Sequence, residues 1–229
     1  MLPVVSPVLP LLAILAACVT LPAAAGPWAR EEGSIFVSTS REVINDPNGT
    51  GRYAERSTTS LYGEYGLTER TTLVFDVVTA TDDQTTLVFL RRTLTGSDDR
   101  RQLAFSLGAG QRVTRTARET VLAMGFHAGR GFSTRMGDGW AAFDLQYRER
   151  ASGEEVVKGD ITIGLRPSQD WMIFGQFQAD DYPGAPTTMR LQASAVRRLT
   201  ERLRIEASVI AGVHNSDVTG LKIGLWSEF

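Results

Sequence analysis

The sequence predicts an all-β chain closed into a single antiparallel transmembrane β-barrel of about twelve strands, behind a cleaved signal peptide. From Gly33 onward apolar side chains recur at every second position almost throughout, and capped stripes of helical period are hard to find. The alternating segments run for about ten residues. A tilted strand needs about 9 to 11 residues to cross a bilayer, whereas soluble strands average about 5 to 6. Small residues sit on the face opposite the charges, at Gly159, Gly175, Ala193, Ala207 and Ala211. They would fill a sandwich core poorly, but little is lost when they face fluid acyl chains.

Composition narrows the class further. The chain has 229 residues, 42% hydrophobic and 22% charged, with one Cys and a formal charge of −2. Those values exclude a disulfide-stapled scaffold, a collagen-like fibre and a charge-dominated disordered tail. Of the 24 basic residues only Lys158 and Lys222 are lysine, and 26 acids offset them, so no nucleic-acid partner is expected. Beyond the first 25 residues no uncharged stretch approaches the ~18 to 20 residues of a spanning helix.

Residues 1–25 carry no charged side chain, and the apolar run Leu11 to Val19 is followed by an A-x-A triplet, Ala23 and Ala25, before Gly26. This is the layout of a secretory signal peptide and leaves 26–229 as one barrel domain. A second reading takes Leu15-Ala16-Ala17-Cys18 as a lipoprotein box with Cys18 as the lipidated residue. Strands are expected at about 33–41, 56–66, 71–80, 85–94, 101–112, 119–130, 139–149, 155–165, 170–180, 187–198, 201–212 and 217–229. The clearest is Leu203 to Val209, with Leu203, Ile205, Ala207 and Val209 on one face and Arg204, Glu206 and Ser208 on the other. Ala141, Phe143, Leu145 and Tyr147 alternate in the same way with Asp144, Gln146 and Arg148, as do Val157, Ile161, Ile163 and Leu165 with Lys158, Asp160 and Thr162.

The connections fall into two sets. One is short and rich in turn formers: Leu67-Thr68-Glu69-Arg70, Gly96 to Asp99, Gly137-Asp138-Gly139, Pro167 to Asp170 and Leu199-Thr200-Glu201-Arg202. The repeated Leu-Thr-Glu-Arg quartet is read as two hairpin turns of one kind. The other set is more variable and contains the longest excursion, Glu42 to Ala54, with Asp180 to Ala185 and His214-Asn215-Ser216. Alternation alone also suits a soluble two-sheet sandwich. Strand length, small outward residues and aromatics near strand ends (Trp140, Tyr147, Trp171, Trp226, Phe229) favour the membrane barrel with its interfacial girdles.

The last strand, Leu221 to Phe229, ends on an aromatic residue with Leu225, Ile223 and Leu221 stepping back from it by twos. It resembles the closing strand of Gram-negative outer-membrane β-barrels, whose terminal Phe is read by the barrel assembly machinery. The run Tyr65-Gly66-Leu67-Thr68-Glu69-Arg70-Thr71-Thr72-Leu73 resembles uncharacterised outer-membrane proteins related to phenol-degradation-pathway transporters. The resemblance implies an outer-membrane location in contact with lipid, an assembly signal at Phe229, and both termini and the tight turns on the periplasmic side.

On the inward face the alternation places Glu64, Asp76, Asp144, Arg148, Lys158, Asp160, Arg190, Arg204, Glu206, Lys222 and Glu228, with both signs interspersed. Such charges either line a narrow passive path for small solutes or pair across the lumen and close it. Twelve strands lie between the eight that fill with side chains and the ~16 that hold open water. Only Gly26 to Glu32 precedes the first strand, too little for an obvious plug. Two other classes stay open, a soluble ligand-binding sandwich and a hydrolase at the barrel rim. The only histidines are His127 and His214, expected at opposite ends of the barrel; His214 has Ser216 and Asp217 nearby but reads more simply as a solvated loop residue. No catalytic residue, cofactor or metal site is expected. Asp82-Asp83 and Asp180-Asp181 lack a ligand loop, Gly108-Ala109-Gly110 lacks the third Gly and helix of a dinucleotide site, and Asn48-Gly49-Thr50 reads as a turn.

Overall fold

The computed structural model describes residues 26–45, 55–95 and 100–229, so the expected leader with Cys18, Asn48 to Thr50 and the expected turn at Gly96 to Asp99 lie outside the described residues. Twelve strands are formed: β1 Ile35–Asn45, β2 Glu55–Thr68, β3 Thr71–Ala80, β4 Asp83–Thr93, β5 Arg101–Thr114, β6 Arg118–Thr134, β7 Gly137–Arg150, β8 Glu155–Arg166, β9 Trp171–Asp181, β10 Thr188–Arg198, β11 Leu203–His214 and β12 Thr219–Glu228. Each pairs antiparallel with its chain neighbours, and β1 pairs with β12 from Phe36 opposite Glu228 to Asn45 opposite Thr219. The sheet is a closed barrel without edges, the condition for placing a β-sheet in hydrocarbon. Among the described residues this single closed sheet leaves no second sheet to make a sandwich.

Closure turns the two faces of every strand into an inside and an outside. Outside, the odd-numbered residues of β8, β11 and β12 form an apolar surface: Ile161 is 47% exposed, Leu221 63% and Ile223 62%. Inside, Glu64 is 2% exposed and Glu206 1%. Apolar groups outward and charges buried inward is the reverse of a water-soluble protein, and exposed apolar patches of this extent mark an interaction surface.

Both ends of the described chain meet at one rim, where Ile35 and Phe229 exchange main-chain hydrogen bonds of 3.0 and 2.9 Å. The tight turns after β2, β6, β8 and β10 lie at that terminal rim. The two Leu-Thr-Glu-Arg quartets close alike: the Arg70 amide donates to Thr68 Oγ1 and the Arg202 amide to Thr200 Oγ1, each at 3.3 Å. Glu42 to Asn45, expected in a loop, belong to β1, because Glu42 and Ile44 continue the inward set and pair with β12. Trp140 and Trp226, expected in an interfacial girdle, point into the lumen. Trp140 shares the parity of Ala142 and Asp144, and Trp226 packs edge-on against Phe36 at 5.9 Å. Trp171 and Phe229 are exposed.

Candidate functional site

The lumen is built in layers, beginning with residues 26–32, which turn into the barrel at the terminal rim. Pro27 is fully buried, and its carbonyl accepts from Thr93 Oγ1 at 3.0 Å. Trp28 packs against the inward cluster of Trp140, Ala142, Met172 and Val196, in space that Gly129 leaves free: a Cβ there would lie 2.4 Å from the indole. The Arg30 amide donates to Thr72 Oγ1 at 3.1 Å, and its guanidinium donates to Glu64 at 2.5 Å and to Glu228 at 3.2 Å. The segment expected to be too short to plug the barrel therefore occupies its mouth. One large ring and one arginine are enough, because the inner wall already carries partners for both.

Glu64 is the hub of this layer. It accepts from Arg30, from Arg91 at 2.7 Å and from the Tyr62 hydroxyl at 2.5 Å, with its side chain fully buried. Arg204 reaches Glu228 at 2.6 Å beside it. Next comes a layer of aromatic rings. Phe36 meets Tyr62 and Trp226 at centroid distances of 6.3 and 5.9 Å, Trp226 meets Phe174 at 6.2 Å, and Phe174 meets Trp140 at 6.4 Å. These separations suit edge-on and tilted contacts.

Bounded by these rings is a cavity of about 450 Å³. Seven of the inward residues named from the sequence line it: Asp76, Asp144, Arg148, Lys158, Asp160, Glu206 and Lys222. Arg148 lies 3.6 Å from Asp76, Lys222 lies 3.1 Å from Glu206, and Asp160 stands opposite Asp144 across β7 and β8. Glu206 also accepts from the Trp226 indole at 3.0 Å and from Ser208 at 2.9 Å. The other four, Glu64, Arg190, Arg204 and Glu228, do not line the cavity, and Glu228 pairs with Arg30 and Arg204 at the terminal rim. Glu64 and Arg204 belong to the layer at the terminal rim. Arg190 is nearer the far rim, between Asp180 at 3.4 Å and Glu42 at 3.2 Å, and Lys158 reaches Asp180 at 3.3 Å. Asp180, expected at the boundary between the strand 170–180 and the following loop, is thus a strand residue tied to two cations.

The two histidines do lie apart. His214 is exposed at the end of β11, and the adjacent Asn215, at φ 48°, donates its side-chain amide to the Thr187 carbonyl at 3.0 Å. His127, to which the sequence assigned no role, faces the cavity between Ser106 at 3.0 Å and Asp144 at 2.6 Å. Their shared inward parity was legible from alternation. Their proximity depends on the pairing register of three strands.

No protein-family model matches the chain, and no curated protein matches its sequence. Among solved structures the chain is similar to the NanC porin, with a TM-score of 0.59 at 11% identity over 82% of this chain and 98% of that one. It is similar to the KdgM porin, with a TM-score of 0.56 at 10% identity over 85% and 99%. An outer-membrane channel from Pseudomonas putida F1 gives 0.54 at 11% identity over 91% and 100%. At such identities the likeness is one of fold.

Proposed function

We propose that this chain is a narrow, passive channel for small amphipathic solutes in the outer membrane of a Gram-negative bacterium, with residues 26–32 as its constriction. The observation that carries this reading is the cavity of about 450 Å³ inside a closed barrel. Part of its wall is aromatic, at Phe36, Phe174 and Trp226, and part carries both signs of charge, at Asp76, Arg148, Lys158 and Lys222. Such a wall receives a solute with an apolar body and a polar end, and the balanced charges impose no strong preference for one ionic sign. The fold likeness to two porins and an outer-membrane channel supports the same reading. So does the resemblance of Tyr65 to Leu73 to uncharacterised outer-membrane proteins related to phenol-degradation-pathway transporters.

Lipid contact along the apolar outer face, export by a leader at 1–25, reading of Phe229 by the barrel assembly machinery and a periplasmic terminal rim belong to this proposal. No cofactor is required. In planar bilayers the double variant Pro27→Gly, Trp28→Gly is expected to raise the single-channel conductance several-fold over wild type, because it removes the ring and the stiff residue that fill the mouth. Equal conductance of the two forms would show that the segment is not the constriction. No conductance from either form would overturn the channel itself.

A further inference from the structure

Three inward side chains on consecutive strands meet in an arrangement that solute passage does not need. Ser106 Oγ on β5 lies 3.0 Å from His127 Nε2 on β6, and His127 Nδ1 lies 2.6 Å from Asp144 Oδ1 on β7. We propose that this triad hydrolyses small carboxylic esters inside the barrel, with Ser106 as nucleophile, His127 as general base and acid, and Asp144 as the positioning residue.

The sheet register builds the site. His127 is directly opposite Asp144, and Ser106 is directly opposite Gly125, one inward position before His127. The imidazole leans diagonally over Gly125 to reach the serine. Only glycine allows this, since a Cβ at 125 would lie 2.5 Å from Ser106 Oγ and 2.8 Å from His127 Nε2. An ionised carboxylate can only accept, so Asp144 fixes the proton on Nδ1 and leaves Nε2 to accept from the Ser106 hydroxyl. All three residues line the lumen cavity.

A second, independent observation points to a substrate. Arg91 is directly opposite Ser106 on β4, which puts the two Cβ atoms about 5 Å apart, and it lines the same cavity. Its side chain is 4% exposed and one terminal nitrogen is committed to Glu64 at 2.7 Å, yet its Nε is buried without a hydrogen-bond partner among the described residues. A buried, unpaired cationic donor beside a nucleophile is the group an oxyanion would satisfy. Val74, Phe89 and Trp140 supply apolar wall for a short acyl or aryl group.

The chemistry balances without a co-reactant other than water. Ser106 Oγ bonds to the ester carbonyl carbon as its proton passes to His127 Nε2, and the carbonyl π pair becomes an oxyanion beside Arg91. Collapse restores C=O and breaks the bond to the alcohol oxygen, which leaves with the proton from His127. Water, deprotonated by His127, then attacks the acyl carbon; the bond from that carbon to Ser106 Oγ breaks, Oγ takes the proton from His127, and a carboxylic acid departs.

The test uses the full barrel folded in detergent, with mobility before and after heating confirming that each variant is closed. A fluorophosphonate is expected to modify Ser106 of the wild type by mass spectrometry. Hydrolysis of p-nitrophenyl butyrate is expected to fall at least about 100-fold in Ser106→Ala and in His127→Gln. Asp144→Asn is expected to lower kcat with KM nearly unchanged, which loss of packing alone would not do, and His214→Ala to leave the rate unaltered. A Ser106→Cys variant treated with a small thiol reagent separates access from chemistry. Reaction of that thiol, with no phosphonate on the wild type and no rate loss in Ser106→Ala, overturns the triad while leaving the channel intact. An unreactive thiol overturns it too, because no ester of that size reaches the site.

Discussion

Glu64→Leu is expected to destabilise the folded barrel by about 3 to 5 kcal/mol, read from urea unfolding in lipid vesicles, because removing one member of a buried ion pair leaves the other charge uncompensated. Glu64 is 2% exposed and receives Arg30 at 2.5 Å, Arg91 at 2.7 Å and the Tyr62 hydroxyl at 2.5 Å. Without it, Arg91 is a guanidinium inside the barrel left, among the described residues, with the Trp28 carbonyl at 3.4 Å and the Tyr62 oxygen at 3.5 Å. Glu64→Gln keeps the shape and one acceptor and should cost less. The double variant Glu64→Leu, Arg91→Met should recover part of the loss, since replacing both partners by apolar groups is milder than orphaning one. A loss below about 1 kcal/mol for Glu64→Leu would show that water reaches and screens the pair.

The second large effect separates the two faces of one strand. Ile161 lies near the middle of β8 and is 47% exposed on the outer surface, opposite Phe143 and Phe177 on its neighbours. Ile161→Arg is expected to cost about 2 to 4 kcal/mol in a bilayer, the range for a cation at the midplane of a barrel's lipid face. Thr162, the next residue, is half-buried on the cavity wall. Thr162→Arg should cost clearly less, because a guanidinium there stays among polar groups. Equal losses at the two positions would contradict the assignment of faces. The same pair compared in detergent and in bilayer shows whether the solvent of the outer face is lipid.

Much of this architecture was legible from residue order. The strand set, the short turns at 67–70 and 199–202, and the inward parity of Glu64, Asp144 and Glu206 all follow from alternation and turn chemistry. Alternation also outweighs position along a strand. Trp140 lies near a strand end, where a girdle is expected, yet its parity with Asp144 puts the indole inside. Glu42 and Ile44, expected in a loop, extend the β1 pattern. Residues 26–32 are short for a plug, and what seats Trp28 and Arg30 is the wall they meet, at Gly129, Thr72, Glu64 and Glu228.

Alternation is a property of the pleat, whose side chains change face at each residue whatever the neighbours do. It therefore specifies, from the chain alone, how many strands there are and which side chains share a face. Which of those side chains touch depends on how far each strand slides along the next and on how the sheet closes. Those quantities belong to pairs of strands and to the ring as a whole. The Ser106, His127 and Asp144 contacts, the Glu64 hub and the seat of the N-terminal segment exist only at that level, because each joins residues of different strands or segments whose alignment the pairing register and the closure set.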